Sequence, residues 1–251
     1  MDSTGPIRIA AAGDVHIREA NRDEVAAAFA GLQGGCDAIL VAGDLTTHGE
    51  PEQARMFAEA VHPLHVPTVV VLGNHDLHAD RGDEFRAALE EAGIVVLERE
   101  TKVIEIGGLE VGIVGLKGFI GGFAGSNLPD FGERQLRDVY ATTTVDVEAL
   151  ERGLLEVAQC PIRIVLLHYS PTGETLEGEP PGIWAFLGSD RLAAPIREHA
   201  PDLVLHGHAH AGTFEGRIGD SPVYNVSVPV IGRDFWVFEV SSPRRPTTPI
   251  H

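Results

Sequence analysis

Five short apolar runs in this sequence each stop abruptly at glycine or histidine, and this repeated ending constrains the fold more than any other feature. The most polar ending follows residues 69–72, which lead straight into Gly73, Asn74, His75 and Asp76. The carboxyl ends of neighbouring strands lie along one edge of a parallel sheet covered by helices, and ligands bind there. We therefore expect residues far apart in the sequence to meet at one site. The other runs are residues 9–12 before Gly13, Asp14, Val15 and His16, residues 38–42 before Gly43 and Asp44, residues 164–167 before His168, and residues 203–205 before His206, Gly207, His208, Ala209 and His210.

Strand and helix patterns alternate through the first hundred residues, which predicts βαβ units around a parallel sheet. After residue 100, the pair Gly107 and Gly108 separates two apolar strands, so it predicts a hairpin and with it a second, antiparallel sheet. Five helices are predicted: residues 19–32, one with Pro51 in its first turn, 83–91, 145–157 and 189–199. Asp83 is expected to cap the third, and Gly93 to follow its end. Pro195 is expected to distort the last. The predicted later strands are residues 162–167, 203–205, 222–227 and 235–240.

Two segments, residues 117–144 and 171–187, carry no clear strand or helix pattern. The first is rich in glycine and contains three phenylalanines, and the second contains Trp184 and Phe186. Both follow strands that we expect to end near the site, and long loops in compact domains are commonly functional or mobile. Their roles stay open at this point.

Length and charge limit the classes of partner. A chain of 251 residues predicts one domain, over residues 1–241, followed by a Pro-rich tail over 242–251 that we expect to be disordered. The net charge of -18 disfavours nucleic acid and anionic membranes as partners, whereas phosphate esters stay possible because bound cations can dominate a local field. Two isolated cysteines, the lack of a signal-peptide pattern and the shortness of the apolar runs predict a cytoplasmic protein. The sequence leaves the oligomeric state open.

The polar endings together offer four imidazoles, two carboxylates and one amide, which exceeds what one ion with room for a substrate needs. Each of these residues alone has an ordinary structural explanation, for example as a turn residue. Taken together, they favour two ions that share one carboxylate. The abundance of histidine and the absence of sulfur favour Mn, Fe, Zn, Co or Ni over Cu(I), Fe–S clusters and all-oxygen Ca sites. The candidate metal ligands are Asp14, His16, Asp44, Asn74, His168, His208 and His210.

The motifs D-x-H, G-D, G-N-H-D, H and G-H-x-H occur here in that order between residues 14 and 210, and in this the chain resembles the calcineurin-like metallophosphoesterases. The resemblance implies an α/β fold, a four-layer α/β/β/α sandwich with two mixed β-sheets flanked by helices. It implies that His75 is catalytic, and Asp76 is a second catalytic candidate that either orients His75 or caps the following turn. It also implies a first metal ion held by Asp14, His16 and His210, a second held by Asn74, His168 and His208, and Asp44 as the bridge between them.

The same resemblance implies a hydrolase that holds two divalent transition-metal ions, most simply Mn, Fe or Zn. A hydroxide that bridges the ions would attack phosphorus, and His75 would stabilise charge or protonate the leaving oxygen. Protein phosphatases of the family read G-D-x-x-D-R-G, but residues 43–49 here lack both the second aspartate and the arginine. Bidentate capture of a phosphate dianion is therefore missing at this position, which favours a phosphodiesterase with a small, nucleotide-like substrate.

Three alternatives remain beside the phosphodiesterase: a phosphomonoesterase, a nuclease of the same family, and a metal-binding module without catalysis. The charge of the chain counts against the nuclease, and the complete ligand set counts against the non-catalytic module. The candidates for further substrate contact are Arg18, Arg81, Arg191 and Arg217.

Overall fold

The computed structural model of the protein describes residues 5–241, and the predicted tail lies outside them. The strands are β1 (Ile7–Ala12), β2 (Ala38–Ala42), β3 (Thr68–Val71), β4 (Val95–Val96), β5 (Glu100–Ile106), β6 (Leu109–Leu116), β7 (Gly122–Phe123), β8 (Ser126–Asn127), β9 (Ile162–Leu167), β10 (Leu203–His206), β11 (Glu215–Ile218), β12 (Ser221–Asn225) and β13 (Trp236–Val240). The α-helices are α1 (Arg22–Ala30), α2 (Pro51–Val61), α3 (Gly82–Glu91), α4 (Arg134–Glu156), α5 (Ala193–His199) and α6 (Val228–Ile231).

The first sheet has the strand order β13-β1-β2-β3-β4. Its strands are parallel except for β13, which pairs antiparallel with β1 at the edge. Helices α1, α2 and α3 cover one face, and each buries a phenylalanine there: Phe29, Phe57 and Phe85. Pro51 is the first residue of α2, in the first helical turn as predicted, because an N–H group at that position would have no partner within the helix.

The second sheet has the strand order β11-β12-β10-β9-β6-β5. Gly107 and Gly108 join β5 and β6 in the predicted hairpin, and both have positive φ. The expectation of an antiparallel sheet is wrong, because β6, β9, β10 and β12 run parallel to one another and only the edge strands β5 and β11 are antiparallel. Helices α4 and α5 cover its outer face.

A continuous apolar core fills the space between the two sheets. It is built from alternate residues of β1, β2 and β3 on one side and of β6, β9 and β10 on the other. The layers are therefore helices, sheet, sheet and helices, and the predicted fold of two mixed sheets flanked by helices is confirmed. This packing brings the carboxyl ends of β1, β2, β3, β9 and β10 to one edge of the molecule.

Several predicted boundaries differ from the structure. Helix α4 begins at Arg134 instead of residue 145. Residues 134–138 are exposed, and the buried face of the helix begins only at Thr143, so its first turns are not fixed by a buried apolar face. Asp83 lies inside α3 and does not cap it. The helix predicted over residues 189–199 starts as a 3-10 turn, Asp190–Leu192, capped by Ser189, and continues as α5. Segment 171–187 contains two further 3-10 helices, Gly173–Leu176 and Pro181–Phe186.

Candidate metal centre

The first group of ligand-type side chains joins the end of β1 to the loop after β10. Asp14 Oδ1 lies 2.9 Å from Nε2 of His210, and Asp14 Oδ2 accepts the backbone N–H of His208 at 2.9 Å. Asp14, His16 and His210 each present a ligand atom within 4.8 Å of the other two. The structure thus brings together the three residues that the resemblance assigns to a first ion.

The second group lies beside the first. Asp44, His168 and His208 again present ligand atoms within 4.8 Å of one another. His168 Nε2 lies 2.9 Å from Asn74 Oδ1 and 3.5 Å from Asp44 Oδ1. The other carboxylate oxygen of Asp44 lies 3.8 Å from Nε2 of His16, so Asp44 faces both groups.

Backbone carbonyls fix the histidine rings from behind. His168 Nδ1 lies 2.8 Å from the carbonyl oxygen of Ala42, and His16 Nδ1 lies 3.3 Å from that of Thr46. His208 Nε2 lies 3.3 Å from the carbonyl oxygen of Phe186, which belongs to segment 171–187. Each contact occupies one ring nitrogen and leaves the other for a ligand, as is usual around metal-binding imidazoles.

The electrostatics of these groups fit divalent cations. Asp14 and Asp44 are both buried, and neither makes an ion pair with a lysine or arginine anywhere in residues 5–241. Burial, together with the nearby charge of Asp14, raises the pKa of Asp44 to about 6. Burial, together with His168, lowers the pKa of His208 to about 3, so this imidazole is neutral at neutral pH. Burial also lowers the pKa of His16 and of His168, whereas the hydrogen bond with Asp14 raises the pKa of His210. Imidazoles beside carboxylates that have no lysine or arginine partner form a donor set that suits transition-metal ions.

The backbone at this edge is unusual. Asp14, His16, Asp44 and His208 all have positive φ, in the left-handed region that residues other than glycine seldom adopt, and such conformations concentrate at functional sites. The glycine of the third motif is required by close approach, because a Cβ atom on Gly73 would overlap Asp44 Oδ1.

The sequence as a whole agrees with this geometry. A family model described as calcineurin-like phosphoesterase matches residues 7–212. The chain belongs to the calcineurin-like phosphoesterase family. As a member of that family, it is a metal-dependent phosphoester hydrolase. Among the residues described, no helix has the length and apolar character needed to cross a membrane.

Solved structures share the fold of this phosphoesterase. A phosphopantetheinyl hydrolase from Mycobacterium tuberculosis is 14% identical, with a TM-score of 0.68 and full coverage of both chains. The protein TT1561 from Thermus thermophilus is 19% identical, with a TM-score of 0.58 over 94% of this chain and 100% of that one. A putative 5'-nucleotidase from Staphylococcus aureus is 15% identical, with a TM-score of 0.59 over 98% of this chain and 56% of the nucleotidase chain. No curated protein matches the phosphoesterase in sequence.

The two residues predicted to be catalytic differ in their surroundings. His75 Nδ1 lies 2.9 Å from the carbonyl oxygen of Thr47, and its ring meets that of His16 edge-on at 4.7 Å. Its Nε2 is therefore the free ring nitrogen, and the ring also lies within ligand distance of His16 and Asp44. The geometry permits both a proton donor and a ligand at this position.

Asp76 is completely buried and accepts four hydrogen bonds. They come from the backbone N–H groups of Leu45, Thr46 and Gly73 and from the hydroxyl of Thr46, at 2.9 to 3.1 Å. Asp76 therefore ties the Asp44 loop to the His75 loop, and none of these four hydrogen bonds involves the His75 ring or the turn that follows. A catalytic role for Asp76 stays a prediction.

Two residues beside the groups were not among the predicted site residues. The ring of Tyr169 lies 4.3 Å from that of His208 and 5.3 Å from that of His168. Lys117 Nζ lies 5.0 Å from the centre of the Tyr169 ring and 4.6 Å from that of Phe119. Lys117 directly follows β6, and Tyr169 comes one residue after the last predicted ligand of β9. The signal in the sequence was thus the same strand ending, but neither residue is a typical metal ligand.

Proposed function

We propose that this phosphoesterase is a dinuclear phosphodiesterase that acts on a small, nucleotide-like substrate. The observation that carries the proposal is the position of Asp44, whose two carboxylate oxygens face different ligand groups, 3.8 Å from His16 Nε2 and 3.5 Å from His168 Nε2. A carboxylate with this placement suits a bridge between two ions. Mn, Fe or Zn ions would be held by Asp14, His16 and His210 in one group and by Asn74, His168 and His208 in the other.

Divalent ions bound there supply an activated water at neutral pH and positive charge for the phosphoryl oxygens. The protein's own residues then protonate the leaving group and keep the loops of the site in position. The contact of His75 Nδ1 with the Thr47 carbonyl fixes the ring, so Nε2 can hold a proton for the departing oxygen. The four hydrogen bonds to Asp76 keep the loops of Asp44 and His75 in register, which preserves their relative position.

The preference for diesters follows from charge. A phosphate monoester carries up to one more negative charge than a diester, so it needs more cationic contacts at the site. Residues 43–49 contain no arginine or lysine, and within the described residues the buried carboxylates at this edge pair only with histidines and with no lysine or arginine. A singly charged diester is therefore the better match for the site.

A substrate panel tests the proposal. Protein loaded with Mn, Fe, Zn or Mg is assayed on bis(p-nitrophenyl) phosphate, p-nitrophenyl phosphate, nucleotide diesters, single-stranded DNA and a phosphopantetheinyl carrier protein. The expected result is the highest kcat/KM on small diesters, with two ions per chain by elemental analysis. A preference for monoesters would refute the diester assignment, and faster cleavage of DNA would favour a nuclease. Bound metal without turnover on any substrate would favour a non-catalytic module.

A further inference from the structure

Lys117 is fixed directly beside the candidate metal centre. It follows β6, which pairs with β9 in the second sheet. Its carbonyl oxygen accepts the backbone N–H groups of both His168 and Tyr169 at 3.0 Å. The backbone of Lys117 therefore keeps a constant position relative to a candidate ligand of the second ion, and its side chain starts from that edge of the sheet.

The ammonium group of Lys117 has unused hydrogen-bonding capacity. It donates to the carbonyl oxygen of Gly118 at 3.2 Å and lies over the faces of Phe119 and Tyr169. Across residues 5–241, no carboxylate lies within 4.0 Å of it, although the chain has 37 acidic residues. Three donors with one conventional acceptor leave two N–H groups for another partner. The two aromatic faces stabilise the cation without consuming these donors.

The position of the ammonium relates it to the second ligand group. The Tyr169 ring lies 5.0 Å from Lys117 Nζ and 4.3 Å from the His208 ring, so one aromatic ring connects the cation to the candidate centre. Burial lowers the pKa of Lys117, while the charges of Glu98, Asp146 and, more weakly, Asp44 oppose this effect.

Three of the four arginines suggested by the sequence are already engaged elsewhere. Arg81 pairs with Glu50 and Glu84, at 3.1 Å and 2.7 Å. The guanidinium of Arg191 donates to the Tyr140 carbonyl and the Thr144 hydroxyl, and that of Arg217 donates to the Asp220 carbonyl. The fourth, Arg18, is exposed. Lys117 has free donors and also contacts Tyr169, whose ring packs against the candidate ligand His208.

We propose that Lys117 determines specificity by binding a second anionic group of the substrate, next to the phosphodiester that reacts at the candidate metal centre. The inference rests on the proposed function and narrows its substrate class to small diesters whose uncleaved arm carries an additional carboxylate or phosphate. One aromatic ring separates the cation from the ligand group. A substrate arm of a few bonds can span that distance.

A matched pair of substrates tests this directly. Both p-nitrophenyl 2-carboxyethyl phosphate and p-nitrophenyl propyl phosphate release nitrophenolate, and only the first carries the extra charge; a 2-phosphonoethyl ester is the phosphate counterpart. Lys117→Gln is expected to raise KM for the charged substrates by about 10- to 100-fold, the usual range for a charged hydrogen bond, with kcat nearly constant. The propyl ester should lose less than about threefold, and Lys117→Arg should restore part of the loss on the charged esters.

The only other lysine provides the control. Lys102 lies on the exposed edge strand β5, so Lys102→Gln should leave both substrates unaffected. Equal loss on charged and uncharged esters in Lys117→Gln would mean that the lysine only supports the fold. No loss on either would mean that no substrate group reaches it. Both results overturn the proposal.

Chemical labelling gives a second measurement that does not depend on turnover. Metal-loaded protein is acetylated with and without methylenediphosphonate, phosphonoacetate or methylphosphonate, and the labelling rates of Lys117 and Lys102 are read by peptide mass spectrometry. Methylenediphosphonate and phosphonoacetate each carry two anionic groups and should slow labelling of Lys117 at least about fivefold. Methylphosphonate, which has one such group, should change it little, and labelling of Lys102 should change little with any probe. Equal protection by all three probes, or none, would refute the inference. If the wild type hydrolyses no diester, the proposed function fails, and labelling still decides the role of Lys117.

Discussion

A methyl group added at Gly73 should disable the site through Asp44. The Cβ atom of Gly73→Ala would overlap Asp44 Oδ1 and the Asp44 backbone nitrogen, and would lie 2.7 Å from its carboxylate carbon. Neither the backbone of Asp44, which has a positive φ, nor its buried carboxylate is free to move. To regain ordinary contact, the carboxylate must retreat by more than about 1 Å.

This displacement of the Asp44 carboxylate determines the expected losses of stability and of activity. It breaks the hydrogen bond from the His75 N–H to Asp44 Oδ1, now 2.8 Å long, and it misplaces the candidate bridge. Overpacking costs about 1–3 kcal/mol and a lost charged hydrogen bond about 1.5–3 kcal/mol, so we expect a loss of about 3 kcal/mol or more and a Tm lower by about 6–12 °C. A catalytic group displaced by about 1 Å typically costs 100-fold in rate, so kcat/KM should fall by at least that factor.

Three measurements check this prediction: thermal unfolding, metal content by elemental analysis, and hydrolysis of bis(p-nitrophenyl) phosphate. Gly182→Ala is the matched control, because a Cβ at Gly182 meets nothing within 4 Å. A Gly73→Ala protein that keeps wild-type stability, metal content and rate would show that the close approach of Gly73 to Asp44 does not hold the site together.

Three further predictions concern single side chains. Asp44→Asn should lower the occupancy of both ions because a bridge serves each, and elemental analysis that finds two full sites would contradict the dinuclear proposal. His75→Ala should keep both ions and lose about 100- to 10,000-fold in kcat for an alkoxide leaving group but much less for nitrophenolate; loss of an ion would identify His75 as a ligand. The Arg8 N–H and guanidinium hold the pKa of Asp37 below its usual range, so Asp37 contributes stability above pH ~4 that is lost as the pH falls through the lowered pKa. Denaturant unfolding should therefore show an advantage of wild type over Asp37→Asn at neutral pH that shrinks below pH ~4, and a constant difference would argue against this linkage.

Local sequence signals predicted those parts of the fold that depend on local chemistry. The hairpin at Gly107 and Gly108 follows from two residues that adopt positive φ without a Cβ, and α2 begins where Pro51 fits. The abrupt change from apolar run to glycine or histidine predicted which residues meet at one edge. These signals were sufficient because the carboxyl ends of parallel strands share an edge whatever their order in the sheet.

The parts that the sequence did not predict depend on contacts between distant segments. The hairpin at Gly107 and Gly108 fixes only the antiparallel pairing of β5 with β6, and no local signal shows which strand pairs with the other side of β6. The second sheet was therefore expected to be antiparallel, although β6 pairs with β9 in parallel. Lys117 was missed for a related reason, because the tilt of its side chain toward Tyr169 is set by packing and not by spacing.

The left-handed backbone at four candidate ligands limits how this centre can change over evolution. Aspartate, asparagine and histidine enter that region more readily than other residues with a side chain, so at Asp14, His16, Asp44 and His208 the chain tolerates the same residue types that bind metals through oxygen or imidazole. A cysteine or glutamate there would strain the backbone as well as alter the donor. Descendants of this protein should therefore shift their metal preference by exchange among Asp, Asn and His, and remain with metals that do not require sulfur.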